Sequence, residues 1–81
     1  MTDQQILDKL KAVLEENFEI APIRVVPEAH LFEELDLDSI DTVSLAITLQ
    51  EMTGKPVKAE DFRAVRTVGD VVSTVRRLLA A

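Results

Sequence analysis

Thr67-Val68-Gly69-Asp70-Val71-Val72-Ser73-Thr74-Val75-Arg76-Arg77-Leu78-Leu79 decides the fold class. Its apolar residues, Val68, Val71, Val72, Val75, Leu78 and Leu79, recur at intervals of three and four, the spacing that gathers side chains on one face of a helix. Thr67 is a suitable N-cap, with Asp70 three residues on. Arg76 and Arg77 fall in the last turns, where cations complement the negative end of the helix dipole. Just upstream, Glu60 to about Val65 reads as a short helix that contributes Phe62 and Val65 to a core. Before that, Thr53-Gly54 ends another helix and Pro56 blocks its continuation, since Gly is the usual residue past a helix and Pro lacks the N–H.

That earlier helix is predicted from Ser39 to Met52, with Asp38 or Ser39 as N-cap. A first helix over about residues 3–17 follows from Ile6, Leu10, Val13, Leu14 and Phe18, and Thr2 with Gln5 forms a capping box at its start. Residues 18–38, interrupted by Pro22 and Pro27, read as a long connection. Loops of this length need a reason to exist, and Ile23, Val25, Val26, Leu31, Phe32, Leu35 and Leu37 let this one pack. A helical turn is expected near Leu31–Leu35; an isolated strand at Ile23–Val26 is the weaker alternative, because no partner strand is evident. The expected fold is all-α: a small four-helix bundle of three longer helices and one short one, with residues 1–81 as a single domain.

Eighty-one residues leave little interior, and with Phe as the only aromatic type the core must be aliphatic. A deep catalytic cleft does not fit beside such a core, so an enzyme is not expected. Cysteine is absent, which excludes disulfides and thiolate metal sites. No apolar run approaches the roughly 20 residues that span a bilayer, and the N-terminus lacks the pattern of a signal peptide, so a cytoplasmic protein is expected. The net charge of −6 is unevenly placed. Residues 21–38 carry Glu28, Glu33, Glu34, Asp36 and Asp38 against Arg24 alone, whereas the C-terminal part has Lys55, Lys58, Arg63, Arg66, Arg76 and Arg77 against Glu60, Asp61 and Asp70. Acidic surface repels phosphate backbones, so nucleic acid is not an expected partner, and a basic protein surface is. Asp3, Asp8, Glu15, Glu16 and Glu19 read as a solvated face of the first helix.

The second helix has two apolar arcs. With Ile40 at zero on the wheel, Leu45, Ala46, Leu49 and Met52 span roughly 120–240° and face the core, while Ile40, Val43 and Ile47 fall at roughly 300–360°. Asp41, Ser44, Thr48 and Glu51 occupy the polar sector between. The second arc either docks an apolar patch ringed by basic residues or packs beneath the long loop, with Val43 the member expected nearest to burial. Asp41 and Glu51 are expected to be exposed.

The helix opens with Leu35-Asp36-Leu37-Asp38-Ser39-Ile40-Asp41. Ser39 stands where free N–H groups and the positive dipole end favour a phosphate, although Asp-Ser at a helix start is by itself only a cap. A calcium loop does not fit, because the sixth position would be Asp41 rather than Gly and the twelfth Ile47 rather than Glu. A serine hydrolase does not fit either, since the single histidine, His30, lies in the loop and no Gly-x-Ser-x-Gly elbow surrounds Ser39.

Asp38-Ser39-Ile40, flanked by Leu35-Asp36-Leu37 and Asp41, resembles the Asp-Ser-Leu attachment motif of acyl carrier proteins. The length, the acidity, the mid-chain serine and Thr67-Val68-Gly69-Asp70-Val71-Val72 at the opening of the last helix resemble the same family over about residues 4–80. The resemblance implies a 4′-phosphopantetheine arm from coenzyme A on Ser39, making the chain a phosphoprotein, with acyl groups held on the arm as thioesters. It implies that Asp38 helps engage the phosphopantetheinyl transferase through its metal ion, that Ile40, Asp41, Val43, Ser44, Ile47 and Glu51 form the recognition surface, and that the bundle interior shelters an acyl chain. The partners it implies are the transferase and ketosynthase, reductase, dehydratase and acyltransferase-type enzymes with basic docking surfaces, acting on a monomer with no membrane insertion. Ile40 replaces the commoner Leu, Ser44 and Gln50 stand where fatty-acid carriers often have Glu, and Arg63 and Arg66 add positive charge. In these respects, and in Leu49-Gln50-Glu51-Met52-Thr53-Gly54-Lys55, the chain resembles carriers of aryl-polyene or type II polyketide-like pathways. A helical adaptor that is never modified, and a carrier of amino acids, remain as alternatives.

Overall fold

The computed structural model describes residues 2–62 and 64–80. Three α-helices, α1 (Asp3–Phe18), α2 (Ser39–Thr53) and α3 (Val68–Ala80), are joined through 3-10 turns at Pro22–Arg24 and Ala59–Phe62. The expected short third helix is thus a single 3-10 turn; part of its predicted span, Arg63, lies outside the described residues. The weaker alternative of a strand at Ile23–Val26 is not realised: a 3-10 turn forms at Pro22–Arg24, which Pro22 favours by fixing φ at the first helical position.

α1 begins in the predicted capping box: the Gln5 N–H donates to Thr2 Oγ1 (3.2 Å) and the Thr2 N–H to Gln5 Oε1 (2.9 Å). It ends at Glu19, which takes the left-handed conformation (φ 56°), so that the Ile20 N–H can reach back to the Leu14 carbonyl and carry Ile20 into the core. The core is aliphatic, as composition requires. Ile6, Leu10 and Leu14 of α1 meet Leu45 and Leu49 of α2, Val68, Val71 and Val75 of α3, and Val25, Leu31, Leu35 and Leu37 of the long connection. Ile23, Val26 and Phe32 of that connection, expected to pack, stay exposed. Their neighbours Val25 and Leu31 take the inward positions, and adjacent side chains in these tight turns cannot all face one way.

The connection is fastened to the start of α3 by backbone bonds between residues far apart in sequence. The Leu31 N–H donates to the Arg66 carbonyl (2.9 Å), the Val68 N–H to Ala29 (3.0 Å) and the Gly69 N–H to Pro27 (2.9 Å), around a single antiparallel bridge of His30 with Thr67. The close approach needs Gly69, because a Cβ there would lie 3.1 Å from the Pro27 carbonyl oxygen.

Asp70 completes this junction. Its Oδ2 accepts from the N–H groups of Arg66 (2.9 Å) and Thr67 (3.1 Å), and its own N–H donates to Thr67 Oγ1 (3.2 Å). The Arg66 backbone N–H, and after it that of Thr67, holds the Asp70 carboxyl below its ordinary value. A carboxyl whose pKa falls on folding stabilises the fold in full above its unfolded value, and that contribution is lost as the pH drops through the folded value. Asp70→Asn is therefore expected to cost about 1 kcal/mol in urea unfolding at neutral pH. The gap to wild type should close progressively below about pH 4; a gap of constant size in acid would exclude the carboxylate as its source.

Candidate functional site

The site is built from the start of α2 outward. Asp38 is the N-cap, in extended backbone, and its Oδ1 accepts from the Asp41 N–H (2.9 Å). Asp41 returns the bond, its Oδ2 accepting from the Asp38 N–H (3.3 Å), and Thr42 Oγ1 donates to the Asp38 carbonyl (2.7 Å). This reciprocal box settles the N-cap on Asp38 and leaves Ser39 as the first residue of the helix. It also corrects the expectation for Asp41, which is half-buried because its carboxylate is turned toward the cap, whereas Glu51 is exposed.

Ser39 is exposed, and its hydroxyl has no hydrogen bond to protein among the described residues. The N–H groups of Ser39 and Ile40 are likewise without a protein acceptor, since the cap takes only that of Asp41. Asp36, just upstream, is held in the left-handed conformation (φ 57°), which Asp tolerates better than most side chains, and this sharp bend lets Leu35 and Leu37 both enter the core before the helix starts. The serine is thereby anchored from below by buried leucines while its hydroxyl stays in solvent.

Along α2 the two arcs separate as expected: Leu45 and Leu49 are buried, with Ala46 and Met52 partly so. Ile40, Val43 and Ile47 are 75%, 61% and 55% exposed. The outer arc therefore does not pack beneath the loop, and Val43 is no nearer burial than Ile47; the loop turns toward α3 instead and leaves this face of α2 open. Ser44 and Glu51 are exposed beside it, so all of the expected recognition residues except half-buried Asp41 stand on an open surface.

His30 Nδ1 accepts from the Glu33 N–H (3.2 Å) and its backbone N–H donates to Glu34 Oε1 (3.2 Å), so the one histidine is spent on its own turn. Among the described residues no group of acidic or histidine side chains is placed to hold a metal, and no helix is long and apolar enough to cross a membrane.

The site is thus an exposed hydroxyl at the first position of a capped helix, beside the exposed aliphatic residues Ile40, Val43 and Ile47. Residues 8–75 match the family described as "Phosphopantetheine attachment site". The chain is 63% identical over its whole length, and over the whole of the relative, to Acyl carrier protein 2 of Ralstonia nicotianae. It is 36% identical, again over both full lengths, to the acyl carrier protein of Thermosynechococcus vestitus. To the meromycolate extension acyl carrier protein of Mycolicibacterium smegmatis it is 35% identical, over 95% of this chain and 78% of that one. The chain belongs to the acyl carrier protein family. It is a carrier of acyl intermediates for fatty-acid or related biosynthesis and not an enzyme, and its cofactor is covalently attached 4′-phosphopantetheine. Its general classes of partner are a phosphopantetheinyl transferase and synthase enzymes.

Proposed function

We propose that Ser39 carries the arm and that the open face of α2 is read by the enzymes that load and process the acyl group. The observation that supports this most is the exposed, unbonded Ser39 hydroxyl at the first position of a helix whose cap is supplied by its neighbour. The residues fit the group: a phosphodiester on Ser39 would meet the free N–H groups of Ser39 and Ile40 at the positive end of α2. When attached, the arm supplies the thiol that the protein lacks, and acyl groups are held on it as thioesters.

The chain's own residues have positional tasks. Asp38 fixes the helix start with one carboxylate oxygen, and its other oxygen has no protein partner among the described residues, so it is free to face the transferase and its metal ion. Asp41 steadies Asp38. Ile40, Val43 and Ile47 offer aliphatic contact, while Ser44 and Glu51 border it, suiting an apolar patch with basic residues at its rim. We read residues 1–81 as one monomeric, cytoplasmic carrier unit whose partners include ketosynthase, reductase, dehydratase and acyltransferase-type enzymes. The neutral Ser44 and Gln50 on α2 favour a dedicated aryl-polyene or polyketide-like set over general fatty-acid synthesis.

Incubation of the unmodified protein with a transferase and coenzyme A tests the assignment by intact mass. Wild type should gain one phosphopantetheinyl unit and Ser39→Ala none; the same gain in both would move the arm to another residue.

A further inference from the structure

Among the described residues, two that are not glycine have left-handed backbone, Glu19 (φ 56°) and Asp36 (φ 57°). Glu19 closes α1 and is followed by the long connection. Asp36 closes a shorter turn, and α2 follows it almost at once. The Glu34 and Leu35 N–H groups both donate to the His30 carbonyl (2.9 and 3.1 Å), and the Leu37 N–H reaches back to the Leu31 carbonyl (3.0 Å). A bond spanning six residues, with a left-handed residue just before its donor, is the stop that ends many helices. Leu31 and Leu37, which that bond joins, are both buried. Asp38, the N-cap of α2, comes directly after Leu37. A single buried leucine thus separates the stop of one turn from the start of the next helix. With so little chain between them, the backbone angles of Asp36 set the direction in which Asp38 and Ser39 leave the core. The Asp36 carboxylate has no share in this: it is exposed and makes no hydrogen bond or ion pair among the described residues. What the fold uses at this position is a conformation, one that Asp and Asn enter more readily than most side chains and β-branched residues scarcely at all.

We propose that Asp36 is a positioning residue for attachment of the arm, its left-handed backbone rather than its carboxylate fixing the direction in which Ser39 Oγ meets the transferase. The proposal rests on the reading of Ser39 as the attachment residue. In that transfer, Ser39 Oγ bonds to the pantetheine-side phosphorus of coenzyme A as the bond from that phosphorus to the bridging oxygen breaks. Adenosine 3′,5′-bisphosphate leaves and the hydroxyl proton is released. Such a displacement depends on the approach of the nucleophile, and an error of about 1 Å can cost on the order of 100-fold. The exposed face of α2 beyond its first turn is the same whatever stands at position 36. A misdirected hydroxyl should therefore lower kcat and leave KM near the wild-type value.

The test is the rate of arm attachment from coenzyme A, followed by intact mass and corrected for the folded fraction found by urea unfolding. Asp36→Gly and Asp36→Asn keep access to the left-handed region and should stay within about twofold of wild type. Asp36→Val should lose about tenfold in kcat, with KM little changed. Asp36→Ala sets only a Cβ against that region, folds more readily than the valine variant, and should fall between, about threefold down. Gly and Val remove the same carboxylate, so charge cannot separate them. Equal losses in Gly and Val would mean that the transferase reads the carboxylate, and would overturn the proposal. Wild-type kcat in both Val and Ala would overturn it too, as would a loss that disappears once the folded fraction is taken into account. Failure of the Ser39 reading shows separately, as an arm that Ser39→Ala still acquires.

Discussion

Leu45→Ala and Leu49→Ala are each expected to remove about 2–5 kcal/mol of stability, whereas Ile40→Ala, Val43→Ala and Ile47→Ala on the same helix change it by less than about 0.5 kcal/mol. All five are aliphatic truncations within one helix, so helix propensity cannot explain the contrast; burial must. Leu45 and Leu49 are both fully buried, and each truncation leaves a void among α1, α2 and α3 that rigid neighbours fill poorly. A domain of this size has a total stability toward the low end of the usual ~5–15 kcal/mol, so Leu49→Ala should leave a substantial unfolded population at ambient temperature. The outer variants should melt like wild type yet be acylated and processed more slowly by synthase enzymes, with the loss in kcat/KM. Urea unfolding and loading kinetics on the same set of proteins check both halves. Similar stability losses across all five would mean that α2 does not divide into a packing face and a docking face.

The two apolar arcs of α2 were legible in the sequence because helical periodicity is a local property, although whether the outer one packs beneath the loop was not. The spacing of Leu45, Leu49 and Met52 against Ile40, Val43 and Ile47 placed the two arcs, and Asp38, Gly54 and Pro56 set the ends of α2 to within a residue of Ser39–Thr53. α1 and α3 were readable for the same reason, as was the position of Ser39. The long connection was not. Its course depends on backbone bonds from Pro27, Ala29 and Leu31 to Arg66, Val68 and Gly69, partners more than 30 residues away that carry no side-chain pattern. The close approach of Gly69 to the Pro27 carbonyl likewise has no counterpart in the side-chain pattern. Because the loop is drawn to α3, Val43 stays in solvent and Ile23 is left outside, two outcomes that side-chain hydrophobicity alone would reverse. Glu19 and Asp36 in left-handed conformations were equally hidden, since neither is the glycine that usually marks such positions. Asp41 was misjudged for a different reason: its charge suggested solvent, but its position three residues after Asp38 made it the reciprocal half of a capping box.

The transferase contact proposed for Asp38, beside its role as helix cap, leads to the other large effect expected. Asp38→Ser should keep stability within about 0.5 kcal/mol of wild type, because Ser caps helices as well as Asp does and its hydroxyl can still accept from the Asp41 N–H. Attachment of the arm should nevertheless slow by on the order of 100-fold, since the serine hydroxyl replaces a negative charge with a neutral group at the proposed transferase contact. Asp38→Ala should show the same kinetic loss together with about 1 kcal/mol of destabilisation from the missing cap. Asp41→Asn separates the neighbouring carboxylate: its amide oxygen can still accept from the Asp38 N–H, so the box persists while a charge is removed. If arm attachment tracks charge at position 38 and is indifferent to charge at 41, Asp38 has a chemical task beyond the helix cap. If Asp38→Ser is modified as fast as wild type, the motif reduces to an exposed serine on a well-capped helix, and recognition by the transferase must come from the surface around it.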